Sequence, residues 1–451
     1  MTSRFGTAAL VVLVVGLALH NAVMAELWEL GVRGSALDVV ATWKEALLLV
    51  AFLLLAWKVR RLPAVSAADL LALAYTAIVV LYALLPQDWL DGDATTRGVL
   101  LALRHHLLPV GAYAFGRLLG VASREPRGIG ILVALTAGGV AVIGLVDVLV
   151  ISLQFWRDSG VPSWYREQLS LDYEGLSGLP ENWVYNTGDE NNPIRRLVSS
   201  FLSPLATSYV LVVALVFVVS RLYRWWAIVL GLVIYAALLY THTRAAIAAL
   251  ALGLLVLALA QRRLAPAIVA VASFVLAVAF FAAYPHIGPS TSYTPEELEF
   301  LRENAQREPG ASADPFSTSE SSVSSHWRNL RDGFETVKDH PLGYGLGNAG
   351  VVAKRTGVEI RAGESTYTEL GVDVGVAGAA AFFLWNMALL LGIWRKEPWL
   401  AAALTAVLFL GLQTDVIGVH WIAVVVWALA GVTLGRSTQP SGGSEERQEL
   451  V

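Results

Sequence analysis

Apolar stretches near the ~20 residues that a helix needs to cross a bilayer recur along almost the whole chain, and no other feature restricts its folding as much. They cover residues 5–24, 38–57, 67–86, 98–119, 129–153, 199–219, 225–241, 244–260, 266–284, 370–394, 398–414 and 419–435. Hydrophobic residues make up 56% of the 451 and charged residues only 15%, whereas an ordinary globular domain is about a quarter charged. The expected fold is an all-α polytopic membrane protein with about twelve transmembrane helices. The apolar run after Arg4 continues into Ala25-Glu26-Leu27-Trp28 without a cleavage site and reads as a retained first helix. The chain contains no cysteine, which excludes disulfides, thiolate metal ligands and cysteine nucleophiles. A formal charge of -4 argues against a nucleic-acid partner.

Basic residues in short loops collect on the cytoplasmic side. Here every second connection carries them: Lys58, Arg60 and Arg61; Arg117, Arg124 and Arg127; Arg221 and Arg224; Arg262 and Arg263; Arg395 and Lys396; then Arg436. The intervening loops carry Glu26, Glu29, Asp38, Asp88, Asp91, Asp93 and Asp415 instead. Both termini are therefore expected in the cytoplasm. The expected organisation is 1–154, five transmembrane helices; 155–198, an external loop; 199–284, helices six to nine; 285–369, a large external loop with amphipathic helices; 370–436, helices ten to twelve; and 437–451, a cytoplasmic tail whose Ser, Gly and Glu content predicts disorder.

The first external loop contains Trp156, Trp164, Tyr165, Tyr173, Trp183 and Tyr185, an aromatic content that predicts a segment along the membrane interface. The second opens on Thr294-Pro295-Glu296-Glu297, a capping box with proline at the first helical position, which predicts a helix to about Arg307. Pro309 to Ser325 reads as a mobile loop. Trp327, Leu330, Phe334 and Val337 then recur at helical spacing opposite Arg328, Arg331, Asp332, Glu335 and Lys338, a helix built to lie on an apolar surface. His340-Pro341-Leu342-Gly343-Tyr344-Gly345-Leu346-Gly347 follows as a sharp turn.

Ionisable side chains inside spans are costly and are functional candidates. Lys44, Glu45, Arg104, His105, His106, Asp147, His242 and Arg244 all fall in the outer part of their spans, as a polar cavity open to the outer face requires. Pairing of Lys44 with Glu45, and of Arg104 with a carboxylate, is the structural alternative. Asp91-Gly92-Asp93 has the form of a DxD metal motif but reads as a solvated turn without further ligands, and no metal site is assigned.

Three segments resemble one family. Arg196-Leu197-Val198-Ser199-Ser200-Phe201-Leu202-Ser203-Pro204 is similar to its Arg, small-Thr-Phe, Asn-Pro pattern, and Thr241-His242-Thr243-Arg244-Ala245-Ala246 to its Thr-x-Ser-Arg-Gly-Ala. Glu364-Ser365-Thr366-Tyr367, with Asp373, Gly375 and Gly378, resembles a run that usually begins His-Asn-x-Tyr and continues with an acidic residue, Gly and Gly. The family is the bacterial O-antigen ligase and Wzy-type O-antigen polymerase superfamily, and the resemblance covers roughly residues 190–380.

The resemblance implies transfer of a glycan from an undecaprenyl-pyrophosphate carrier to an acceptor glycan, without metal or other cofactor, on the periplasmic or exterior face of the bacterial inner membrane. A departing diphosphate needs fixed positive charge, which guanidinium groups supply. Arg196 and Arg244, each expected to begin a helix, are the candidates for it. Glu364, standing at the family's usual histidine position, is the candidate base, its carboxyl raised by apolar surroundings, or else an ion-pair partner of Arg355, Arg361 or an arginine of the amphipathic helix. Arg195, His326, Arg328, Arg331, Tyr367, His340 and Arg104 are candidate substrate-binding residues; His340, before proline in a turn, also has a structural reading. The glutamate favours a polymerase of lipid-linked repeat units over a ligase acting on lipid A core or another acceptor. A polysaccharide flippase is the alternative from another class, and a chain-length-regulating co-polymerase is a further expected partner.

Overall fold

The computed structural model describes residues 2–59, 63–123, 128–185, 187, 189–307 and 321–436. Arg60, Arg61, Arg124 and Arg127, residues 308–320 of the expected mobile loop, and the tail from Gln439 lie outside the described residues. The helices are α1 (Thr2–Glu29), α2 (Ser35–Ala41), α3 (Trp43–Lys58), α4 (Ala67–Leu84), α5 (Thr96–Ala122), α6 (Ile129–Val150), the short α7 (Leu153–Asp158) and α8 (Val161–Ser163), α9 (Pro204–Val219), α10 (Trp225–Tyr240), α11 (Arg244–Gln261), α12 (Ala265–Ile287), α13 (Pro295–Arg307), α14 (Ser321–Asp339), α15 (Gly350–Thr356), α16 (Thr366–Ile393), α17 (Pro398–Leu410) and α18 (His420–Arg436). Each stretch expected to cross a bilayer is helical. Six helices are long and apolar enough to do so (α1, α4, α6, α11, α12 and α16), and a seventh if α2 and α3, bent by 42°, form one span. α9, α10, α17 and α18 are shorter apolar helices. The chain is thus a multi-pass membrane protein. α5 is long but interrupted by Arg97, Arg104 and Arg117, so its own sequence is not what holds it among the others.

What holds α5 is a close backbone contact with α18. A Cβ placed on Gly116 would sit 2.0 Å from the Ala428 carbonyl oxygen, and one on Gly120 would sit 2.4 Å from that of Val432. Reciprocally, Gly431 faces the Tyr113 carbonyl and Gly435 that of Arg117, each at 2.3 Å. Both helices therefore carry a GxxxG face, and the four missing side chains let dispersion act between backbones. At the far end of α5, Arg117 forks onto Asp69 at 2.9 and 2.7 Å while Tyr113 donates to the same carboxylate at 2.7 Å. Asp69 also completes a capping box with Ser66, so one half-buried carboxylate anchors the start of α4 and the end of α5.

α16 is broken inside its apolar length: Val374 leaves helical geometry and Gly375 has φ 67°. The turn 341–348 fills the break. Tyr344 N–H donates to the Val372 carbonyl at 2.7 Å, Val376 N–H to Pro341 at 2.9 Å, and Tyr82 of α4 to Leu342 at 2.6 Å. Gly343, at φ 72°, would drive a Cβ to 2.6 Å from the Val372 oxygen, so only glycine both turns and fits there.

Residues 155–198 depart from expectation. Trp164, Tyr165, Trp183 and Tyr185 are buried rather than spread along an interface. Trp164, Tyr165 and Trp183 share an apolar cluster with Met24 and Trp28 of α1, and Tyr165 donates to the Leu202 carbonyl at 2.8 Å. A small hairpin, β1 (Val184–Tyr185) against β2 (Ile194–Arg195), ties this loop to the second one through Arg195 N–H to the Pro289 carbonyl at 2.8 Å. The expected capping box is present, Thr294 and Glu297 exchanging bonds of 3.0 and 3.3 Å. Glu297 is also bound by Arg157 of α7. α14 begins at Ser321, earlier than its apolar repeat indicated. It docks on α16 through Gly333 against Thr368 and Val337 against Gly371, while Trp327 and Phe334 remain exposed.

Gly120→Val forces a branched side chain into the Val432 carbonyl, and overpacking of this kind costs about 1–3 kcal/mol. The detergent-solubilised variant is expected to unfold at a lower temperature than the parent. Gly139→Val on α6, where nothing lies within 4 Å of the added Cβ, is expected to unfold with the parent.

Candidate active site

Arg196 meets the turn that carries Arg244. Arg196 lies in extended chain just after β2 and does not begin a helix: Leu202 is left-handed, at φ 53°, and Ser203 caps α9 with proline at its first position, so the helix starts only at Pro204. From there the Arg196 guanidinium donates to the Thr241 carbonyl at 2.9 Å and to Thr243 Oγ1 at 3.2 Å. Those atoms belong to the turn that presents Arg244 as the first residue of α11, so Arg244 does begin its helix. His242 lies within that turn, in a box formed by Tyr185, Phe281 and Tyr284 with ring centroids 4.3, 4.5 and 4.8 Å away. Burial, and then the charges of Arg196 and Arg244, hold its imidazole far below the usual histidine range and therefore neutral. Arg196 and Arg244 thus both lie within electrostatic range of one neutral imidazole.

Arg195 is placed otherwise than expected of a substrate ligand. It is buried, with its guanidinium on Asp147 at 3.2 Å and on the Ile151 carbonyl at 2.6 Å. Trp156 bonds the same carboxylate at 2.7 Å. This pair fastens the hairpin to the end of α6.

Glu364 stands at φ 64°, immediately before α16. Ser365 and Thr366 clasp the α17–α18 turn: Thr366 N–H donates to Gly411 at 2.9 Å, and its hydroxyl to Thr414 at 2.9 Å. The Glu364 partner is neither Arg355 nor Arg361. Arg361 pairs with Asp93 and Glu359, each at 3.0 Å, and Arg355 Nε donates to the Leu169 carbonyl at 3.1 Å. Instead α14 brings His326, whose Nδ1 lies 2.5 Å from Glu364 Oε2. The His326 contact, and then Asn329, outweigh burial and hold the Glu364 carboxyl below its ordinary 4.5, the opposite of the raised value expected of a base beside apolar surface.

The other candidates fall on both sides of this centre. Tyr367 braces α16 on α17 by donating to the Leu408 carbonyl at 2.9 Å. His340 stacks on Tyr344 with centroids 4.4 Å apart and lies 3.5 Å from Asp91, which supports its structural reading. Arg328 and Arg331 are on the exposed side of α14, Arg331 paired with Glu335 at 2.9 Å. Arg104 meets Glu45 at 3.0 Å. Asp91 and Asp93 belong to a loop docked on the 341–348 turn by Asp93 N–H to Asn348 Oδ1 at 2.9 Å.

A floor of buried carboxylates and histidines connects these parts. His105 lies 3.3 Å from Asp415, and His106 lies 2.8 Å from Asp373, whose other oxygen accepts the N–H groups of Gly347 and Asn348. In the sequence Asp373 stood out only as the acid of the motif run and Asp415 only as a loop acid, and neither pointed to a histidine partner.

Residues 228–383 match the O-antigen ligase family model. This O-antigen ligase segment contains Arg244, His326, Glu364 and the whole of α14, and supports the resemblance drawn from the motifs. It supports ligase- or polymerase-type activity in general. No curated protein matches the chain.

Because the folded-state pKa of Glu364 is lowered, the α14 contact is complete above pH 4.5 and is lost as pH falls through that lowered value. The chain has no cysteine, so spin labels on Asp332→Cys and Ile360→Cys report the docking without ambiguity. Their distance is expected to be constant from pH 7 to 5 and to broaden only below about 4.5; in Glu364→Gln it is expected to be broad throughout.

Proposed function

We propose that the protein polymerises lipid-linked oligosaccharide repeat units, transferring a glycan from undecaprenyl pyrophosphate to an acceptor sugar. Arg196 and Arg244 hold the diphosphate as it leaves. The observation that carries this reading is the Arg196 guanidinium bonded to the turn that carries Arg244. Two fixed guanidiniums beside a neutral imidazole supply the charge neutralisation a diphosphate needs, and the amino end of α11 adds its dipole. α14 is the lid on the acceptor side.

The acceptor hydroxyl must lose a proton. Its base in this proposal is His326, through the ring nitrogen that Glu364 does not hold, while Glu364 orients the ring. A carboxylate held below 4.5 is a poor base near neutral pH but a good partner for an imidazolium. The same contact favours the ligase reading as the second one, because it returns a histidine to the place where the family's motif has it. The proposed topology is the twelve-span arrangement in the cytoplasmic membrane with the domain limits given above, both termini cytoplasmic and the loops at 155–198 and 285–369 outside. The alternation of basic and acidic connections supports it.

Purified protein reconstituted with lipid-linked repeat units provides the test, with product chains read on a gel. Arg244→Gln is expected to slow elongation by about 10²–10³-fold, the usual effect of removing one donor from a developing anion; elongation at the parental rate removes the diphosphate assignment. Under the same conditions His326→Ala is expected to lose about 10²–10⁴-fold, and Glu364→Gln less, with a shifted pH–rate profile. A Glu364→Gln loss as deep as that of His326→Ala, with the profile unmoved, reverses the two roles.

A further inference from the structure

On the other side of the Glu364 turn lies a concentration of positive charge that the transfer reading leaves unused. Arg97 and Arg104 are two turns apart on α5 and share a face. Arg104 Nε lies 3.0 Å from Glu45 Oε1, and the fully buried Lys44 lies 3.5 Å from the same oxygen while donating to the Ala41 carbonyl at 2.7 Å. From outside, α15 packs on the first turn of α5 so closely that a Cβ on Gly98 would meet Thr356 Oγ1 at 3.4 Å. That brings in Arg355, the residue before Thr356. Its Nε is spent on the Leu169 carbonyl, and its two terminal nitrogens have no partner among the described residues. Burial, and then the charges of Arg104 and Arg97, hold it below the ordinary arginine value, with Asp38 alone opposing. Asp38 is itself engaged by Gln168 at 2.9 Å.

Lys44 and Arg104 thus share Glu45, while Arg355 lies within electrostatic range of Arg104, Arg97 and Asp38. Holding like charges together in a half-buried place is unfavourable unless an anion completes the arrangement. The free fork of Arg355 has the shape that grips two phosphoryl oxygens. His105, next to Arg104, reaches Asp415 in the α17–α18 turn. Thr366, two residues after Glu364, bonds the same turn.

The geometry points to a second anion site, formed by Arg97, Arg104 and Arg355 and held in place by Lys44 and Glu45, which takes a phosphoryl group carried by the acceptor. Calling the ligand an acceptor rests on the proposed transfer reaction; the anion site itself does not. A growing glycan still on its own lipid diphosphate presents this chemistry, and so does a phosphorylated core sugar.

Full-length protein in phosphatidylcholine nanodiscs, titrated with inorganic pyrophosphate by calorimetry, tests it. Two sites are expected. Arg97→Gln with Arg355→Gln is expected to weaken one of them at least tenfold and to leave the other unchanged, and Arg355→Lys to restore part of the loss. Arg97 is exposed, so Arg97→Gln alone, unfolding with the parent, gives a smaller loss that owes nothing to misfolding. Parental stoichiometry and affinity in the double variant overturn the inference. If Arg196→Gln leaves both sites intact, the donor assignment falls and the second site stands. Competition at the second site by undecaprenyl diphosphate marks a lipid-linked acceptor, and competition by a hexose phosphate marks a phosphorylated core; competition by neither overturns the acceptor assignment.

Discussion

Backbone-to-backbone packing of α5 on α18, through Gly116 and Gly120 facing Gly431 and Gly435, is the constraint on which the other polar contacts depend. It draws into the middle of an apolar bundle a helix that carries Arg97, Arg104, His105, His106 and Arg117. Each of these groups except Arg97 then takes a partner from a neighbouring element: Glu45 from α3, Asp415 from the α17–α18 turn, Asp373 from α16 and Asp69 from α4. A charge or imidazole left unpaired there would cost several kcal/mol, of order 3 on insertion scales. The glycines set the distance and the polar pairs set the rotation.

The broken helix α16 has a related logic. A break leaves backbone groups without partners, which lipid cannot supply and another part of the protein must. The turn 341–348 supplies them, and its glycines are there because backbone meets backbone at Val372 and Gly375. Asp373, at the break, turns one oxygen to that turn and the other to His106. The same break therefore joins the 341–348 turn, the charged helix α5 and the helix that begins just after Glu364.

Much of the fold was legible because hydrophobic length is a local property. The apolar stretches, the capping box at Thr294 and the amphipathic spacing from Trp327 all appear in the structure, for they depend on neighbours a few residues apart. The burial of Trp164, Tyr165 and Trp183 was not legible, since an aromatic residue suits an interface and a core equally and the choice is made by Met24 and Trp28 of α1. The start of α14 was missed because Ser321 to Ser325 lacks apolar residues, though a helix can extend through them once its end is docked.

In the candidate site the residue types were readable and their pairings were not. The sequence alone determined that arginines flank two apolar helices, that a glutamate stands where the related motif has histidine, and that acids and bases recur in the outer parts of spans; composition and spacing suffice for that. Only the tertiary structure decided that Arg196 is bonded to the turn of Arg244, that Arg195 is spent on Asp147, and that Glu364 faces His326 rather than an arginine. The physical reason is that a buried charge is worth what its partner makes it worth, and every one of these partners comes from a distant segment brought close by packing.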